Sequence, residues 1–206
     1  MVNERYGATR RALHGVAELL LAGPQHAASG HIKLGVVPGG IGTTVAPHVA
    51  IVGAEVVAGK TRIAMNGRTV RDLGAELALA PTSLAHVYSD VTALDPDEPL
   101  AVDEESAVRI CEVYALGDSS LRSFAPSEEP VLWPEHFDIA ITLDNVNYGI
   151  TPGDAGIETP YMYVGPWHVP AADDFWNASF GATRDVPATS DEVVAFFTEG
   201  RHRLGA

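Results

Sequence analysis

The densest run of chemically capable residues is Trp133-Pro-Glu-His-Phe-Asp-Ile-Ala-Ile-Thr-Leu-Asp144. Read as one unbroken strand, it alternates with a period of two. Trp133, Glu135, Phe137, Ile139, Ile141 and Leu143 fall on one face, and His136, Asp138, Ala140, Thr142 and Asp144 on the other. The first face is apolar and belongs to a core. The second sets an imidazole two residues from a carboxylate, near enough for contact or for a shared ligand. Three interpretations fit that face. Asp138 can orient His136 and raise its basicity, making it a general base, so these two are the candidate catalytic residues. Alternatively the pair can give two ligands to iron, manganese or zinc, with a third from His168 or Asp154, although no spacing demands one. Or the face is the solvated side of an edge strand, which shows the same alternation.

Aromatic residues concentrate just beyond. All three tryptophans lie between positions 133 and 176, with Tyr161, Tyr163 and Phe175 interspersed. Rings mixed with polar groups line ligand cavities, although core packing uses them more often. Trp133, Tyr148, Tyr163, Trp167 and Trp176 are the candidate ligand-binding residues. The stretch Asp144 to Asp154 is rich in turn-forming residues and reads as a loop whose Asn and Asp side chains bond their own backbone. It lacks the central glycine and terminal Glu of a calcium loop. Pro38-Gly39-Gly40-Ile41-Gly42 does not make a phosphate-binding glycine pattern, and there is no nucleophile elbow, His-Glu-x-x-His or paired cysteine. His14, inside an apolar helix, reads as a satisfied or half-exposed residue.

The elements that must position these residues begin with a helix over Arg10 to Leu21, stopped by Gly23-Pro24. Strands are expected at His31 to Val37, Val49 to Val52, Glu55 to Ala58 and Thr61 to Met65. Asn66-Gly67 after the last of them is a hairpin signal. Thr69 and Asp72 form a capping box for a helix over Val70 to Leu79. Ser83 to Val91 suggests a short helix, and Asp95 to Pro99 a loop. Asp103 caps a helix over Glu104 to Leu116, ended by Gly117, and Asp118 can cap a continuation through Phe124. Val131 to Leu143, Tyr161 to Trp167 and Phe175 to Thr183 are strand candidates. Thr189 and Glu192 cap a final helix over Asp191 to Arg203. The expected fold class is α+β, a mainly antiparallel β-sheet with packed helices. At 206 residues it is expected as a single domain, with any subdivision near 95–99.

The net charge of −14 argues against nucleic acid and anionic membrane as partners, because phosphates need clustered Lys and Arg. The charge is uneven: Asp90 to Glu129 holds eleven acidic residues against Arg109 and Arg122, a solvated face or an acidic protein-interaction surface. No apolar run approaches the ~18 residues that cross a bilayer, and the N-terminus from Met1 to Gly7 does not read as a signal peptide. A single cysteine, Cys111, excludes an internal disulfide, and a cytoplasmic location is the expectation. Abundant Ala and the preference for Arg over Lys suggest a GC-rich bacterial source.

Leu132 to Ala140, then Thr151-Pro-Gly-Asp154, Tyr161-Met-Tyr163 and Phe175-Trp176 resemble an uncharacterised actinobacterial protein family. A more distant resemblance is to a larger bacterial domain-of-unknown-function family. The shared order includes an Arg-x-x-Leu-His helix ending at His14 and a strand from Gly30 to Lys33. The segment Trp133 to Asp138 carries the tightest match, and Asn145 to Gly149 departs as an insertion. The resemblance implies no activity and no cofactor. The residues themselves lead to a small-molecule binding protein with an aromatic-lined pocket near the 133–144 strand. The alternatives are a metal-dependent enzyme using His136 and Asp138, and an acidic interaction module.

Overall fold

The computed structural model describes residues 4–205; Met1–Asn3, part of the N-terminal stretch read for a leader, and Ala206 lie outside the described residues. The chain divides into two compact units. The first takes residues up to Glu112 together with Leu132–Phe137, and the second takes Val113–Val131 and everything from Asp138 on. The chain thus changes unit within one helix, and not at the 95–99 loop.

The first unit opens with α1 (Glu4–Val16), a π-helical turn (Ala17–Ala22) and α2 (Gly23–Ser29) in unbroken succession. Gly23-Pro24 therefore does not stop the helix. Pro24 has no N–H to give, and the wider turn absorbs it: the Gly23 amide reaches back to the Glu18 carbonyl. That leaves the Leu19 carbonyl to accept the Thr82 amide at 2.9 Å. Gly23 is required by this approach, since a Cβ there would stand 2.0 Å from the Thr82 carbonyl oxygen.

Five short strands follow as a meander: β1 (Leu34–Val37), β2 (Gly40–Thr43), β3 (Ala50–Val52), β4 (Glu55–Ala58) and β5 (Thr61–Ala64), each antiparallel to the next. Gly39, at φ 77°, makes the β1–β2 turn after Pro38. Leu132 of β6 (Val131–Trp133) pairs with Leu34 on the other edge of β1. Asn66-Gly67 closes no hairpin. Its groups bond the 100–102 segment instead, the Asn66 side chain accepting the Val102 amide and Gly67 donating to the Leu100 carbonyl. α3 (Val70–Leu77) starts at the expected Thr69–Asp72 capping box. Residues 83–91 form turns and no helix, stabilised locally by the Ser83 hydroxyl on the Ala85 amide.

In α4 (Glu104–Phe124), Asp103 accepts the Ser106 amide as the helix starts. Gly117 does not end this helix. It lets the second unit's half of α4 lie against the sheet, where a Cβ would meet Ile139 Cγ2 at 2.7 Å. That sheet is β7 (Asp138–Leu143), β8 (Val146–Thr151), β9 (Tyr161–Pro166) and β10 (Ala182–Asp185), antiparallel throughout. The stretch expected as a loop after Leu143 is instead the turn Asp144-Asn145 followed by β8. Both turn residues take positive φ (54° and 62°), the geometry of a tight hairpin, and Val146, Tyr148 and Ile150 are buried. The expected strand over Phe175 to Thr183 shrinks to β10, because Asn177 folds back to bond both backbone groups of Thr183. α5 (Ser190–Arg203) follows its Thr189 cap and packs on β9, where Gly200 faces Val164. The fold class is α+β, with antiparallel strands throughout and helices packed against them.

Candidate functional site

The strand expected from Val131 to Leu143 breaks in the middle. Pro134 cannot donate to a ladder, and residues 134–137 form a turn in which the Phe137 amide reaches the Trp133 carbonyl and Phe137 takes φ 51°. His136 and Asp138 therefore do not share a strand face. His136 sits in the turn with its side chain 63% exposed, whereas Asp138 opens β7 and is 5% exposed. Beyond the break Ile139 and Ile141 are buried as expected, but Asp138 and Ala140 on the opposite face are buried too, and only Thr142 is exposed.

In the second unit, Asp138 is held by Tyr163, whose hydroxyl donates to Oδ2. Burial first, and then the Asp138 carboxylate, push the Tyr163 phenol well above its ordinary range, so it stays a donor. The Tyr163 ring lies over Gly149, its register partner, where a Cβ would be 2.6 Å from the ring. Beside it, Tyr161 donates to Asp154, whose other oxygen accepts the Gly156 and Ile157 amides. The remaining aromatic candidates scatter. Tyr148 packs against Phe124 and Phe197, with centroids 4.7 and 5.7 Å away. Trp176 packs on Phe175, and Trp167 is 65% exposed. Trp133 belongs to the first unit and holds Lys33 over its ring.

The first unit gathers a polar cluster around the same turn. Glu18, in the π-helical turn, is fully buried; its Oε2 accepts the Thr92 amide at 2.7 Å, and its Oε1 has no hydrogen-bond partner. The Tyr88 hydroxyl is likewise buried without a partner. Burial raises the Glu18 carboxyl above its usual range; the Thr92 amide opposes this, and the Glu135 carboxylate adds a smaller push upward. The Tyr88 phenol rises too, by burial and then by the charges of Glu18 and Glu135. One helical turn before Glu18, the His14 Nε2 donates to the Pro134 carbonyl at 2.8 Å and its ring stacks on Phe137 at 4.8 Å. Burial lowers the His14 pKa despite that bond, keeping the ring neutral. Glu135, 28% exposed, and His136 form the outer rim, 3.9 Å apart.

Glu18, Tyr88 and Glu135 were not singled out by sequence reasoning, and His14 was read there as structural. One signal existed: Glu18 is the lone charge in the run Val16-Ala-Glu-Leu-Leu-Leu-Ala22, four residues after His14. Tyr88 lies in the 83–91 stretch expected as a short helix, which forms turns instead, and Thr92 follows it. Among the described residues no group of three or more His, Cys, Asp or Glu is placed to hold a metal ion. A cavity of about 370 Å³ opens between Glu4, Thr9, Asn66 and Val102, and no aromatic candidate lines it. Part of the acidic middle is used internally: Asp97 pairs with Arg71, Glu98 with Arg11 and Asp118 with Arg122. No helix among the described residues is long and apolar enough to cross a membrane. No protein-family model matches the chain, and neither the curated proteins nor the solved structures give a match.

Proposed function

We propose that the chain binds a small polar molecule beside the 133–144 segment, with Glu18 and Tyr88 as its inner anchors and Glu135 and His136 at the mouth. One observation carries this reading: two polar groups of the first unit, Glu18 Oε1 and the Tyr88 hydroxyl, are buried with no hydrogen-bond partner in the protein. Leaving such an atom unmade costs about 1–3 kcal/mol, so it persists where another selection maintains it. The π-helical turn that presents Glu18 is of a kind that recurs at functional sites. The ligand is taken from a cytoplasmic pool, in keeping with a lone buried Cys111, and nucleic acid is disfavoured by the charge of −14. A metabolite library screened by thermal shift tests the proposal. Ligands that stabilise the wild-type chain should lose most of their effect in the Glu18→Gln/Tyr88→Phe double variant. Hits that stabilise both proteins equally would locate binding elsewhere and remove the proposal.

A further inference from the structure

Resting on that reading of the site, we infer that the group it receives is a protonated amine, held between the Glu18 carboxylate, the Tyr88 oxygen and the Glu135 carboxylate. The chemistry of the cluster selects the class. The Glu18 and Glu135 carboxylate oxygens can only accept hydrogen bonds, and the Tyr88 hydroxyl can accept while turning its own proton to a carboxylate. An alkylammonium brings three donors and no acceptor, which suits the two buried, unpartnered oxygens of Glu18 and Tyr88 with the Glu135 carboxylate as a third acceptor. A carboxylate or phosphate ligand would meet two like charges, and a neutral alcohol would leave Glu18 without a counter-charge.

The protein leaves that charge to be matched. Among the described residues, no Lys or Arg makes an ion pair with Glu18 or Glu135; the exposed His136 ring stands 3.9 Å from Glu135. Elsewhere arginines pair with partly exposed carboxylates such as Glu98, Asp97 and Glu55, whereas Glu18, the fully buried glutamate among the described residues, has no guanidinium beside it. A metal ion fits less well, since the required set of three His, Cys, Asp or Glu ligands is not formed there. The Thr92 amide on Glu18 Oε2 fixes the carboxylate plane and leaves Oε1 as the open acceptor. His14, neutral and tied to Pro134, adds no positive charge to oppose a cation.

The Thr92 amide also reports on the site, since it donates to Glu18 directly. Titration of the ¹⁵N-labelled full chain with n-butylammonium at pH 7.5 should move the Thr92 resonance saturably. Neither 1-butanol nor butyrate should do so at the same concentration. Glu18→Gln should weaken butylammonium binding at least tenfold, and Glu135→Gln, whose site is partly exposed and easily accommodated, several-fold. Three outcomes overturn the amine assignment: saturation by butanol or butyrate, saturation by Mg²⁺ or Ca²⁺ in place of butylammonium, or unchanged butylammonium affinity in both variants. The first two would leave a small-ligand site at Glu18 standing and change only its class. Silence of Thr92 to every probe would remove the ammonium site and the site itself together.

Discussion

Burial makes a charged Glu18 destabilising to the folded chain, and the sign of that effect can be read from pH. Its folded pKa is raised by burial, so between the unfolded and folded values the folded chain binds more protons than the unfolded one. Stability is therefore lost as pH rises through the folded value. Glu18→Gln keeps the acceptor for Thr92 and cannot ionise. Its melting temperature should exceed that of wild type at pH 7, and the gap should close as pH falls into the ordinary carboxylate range. A gap independent of pH would show that the carboxylate's charge is not its cause. His14 runs the other way: its folded pKa is lowered, the folded state binds fewer protons, and stability falls as pH drops below the usual histidine value of ~6.5. In the second unit, Tyr163→Phe removes a hydroxyl donated to a buried carboxylate and should cost about 1.5–3 kcal/mol in urea unfolding. The candidate site was only half legible in the sequence. Period two correctly sent Ile139 and Ile141 inward, but it presumed a continuous strand across Pro134. The partners that give Glu18 its character lie more than sixty residues away, Tyr88 in a stretch read as a short helix that forms turns instead and Thr92 just beyond it.

Where local chemistry specified an element, the sequence located it: the Thr69–Asp72 box and the Asp103 and Thr189 caps all appear as expected. Misreadings occurred where a local stop signal was overridden by packing. Gly117 and Gly23-Pro24 look like helix ends, yet each is a point of close approach inside a longer helix. Asp144-Asn145 looked like the start of a loop because no glycine marks it, although both residues tolerate positive φ. Gly→Ala scanning separates the two roles of helical glycine. Gly117→Ala must displace Ile139, and Gly23→Ala must push back a backbone carbonyl 2.0 Å away, so each should destabilise by about 1–3 kcal/mol or more. Gly7→Ala, in α1 with nothing within 4 Å of the new methyl, should instead stabilise by roughly 0.5–1 kcal/mol through helix propensity. Equal effects at the three positions in urea titrations would contradict the packing account.

Charge acts on the chain as a whole. At least eight of the thirteen basic residues already stand in ion pairs with carboxylates, all of them at partly exposed positions. Such pairs contribute about 0–1 kcal/mol each and weaken in salt. They also leave the surplus of 27 acidic over 13 basic residues without counter-charge, so self-repulsion of the folded chain is the larger and opposing effect at neutral pH. Salt screens both, and the sign of its net effect tells which dominates. At pH 7, raising NaCl from 20 mM to 0.5 M should increase the melting temperature by a few degrees, since ~1 kcal/mol moves it by about 2–4 °C at this chain length. Near pH 4.8, where the sequence is isoelectric, the surplus disappears and only the attractive pairs remain to be screened, so the same salt should leave the melting temperature unchanged or lower it. A melting temperature that falls with salt at pH 7 would mean that the local pairs outweigh the surplus. In that case the acidic stretch from Asp90 to Glu129, whose Asp97, Glu98 and Asp118 are paired, would be a structural framework before it is a solubilising face.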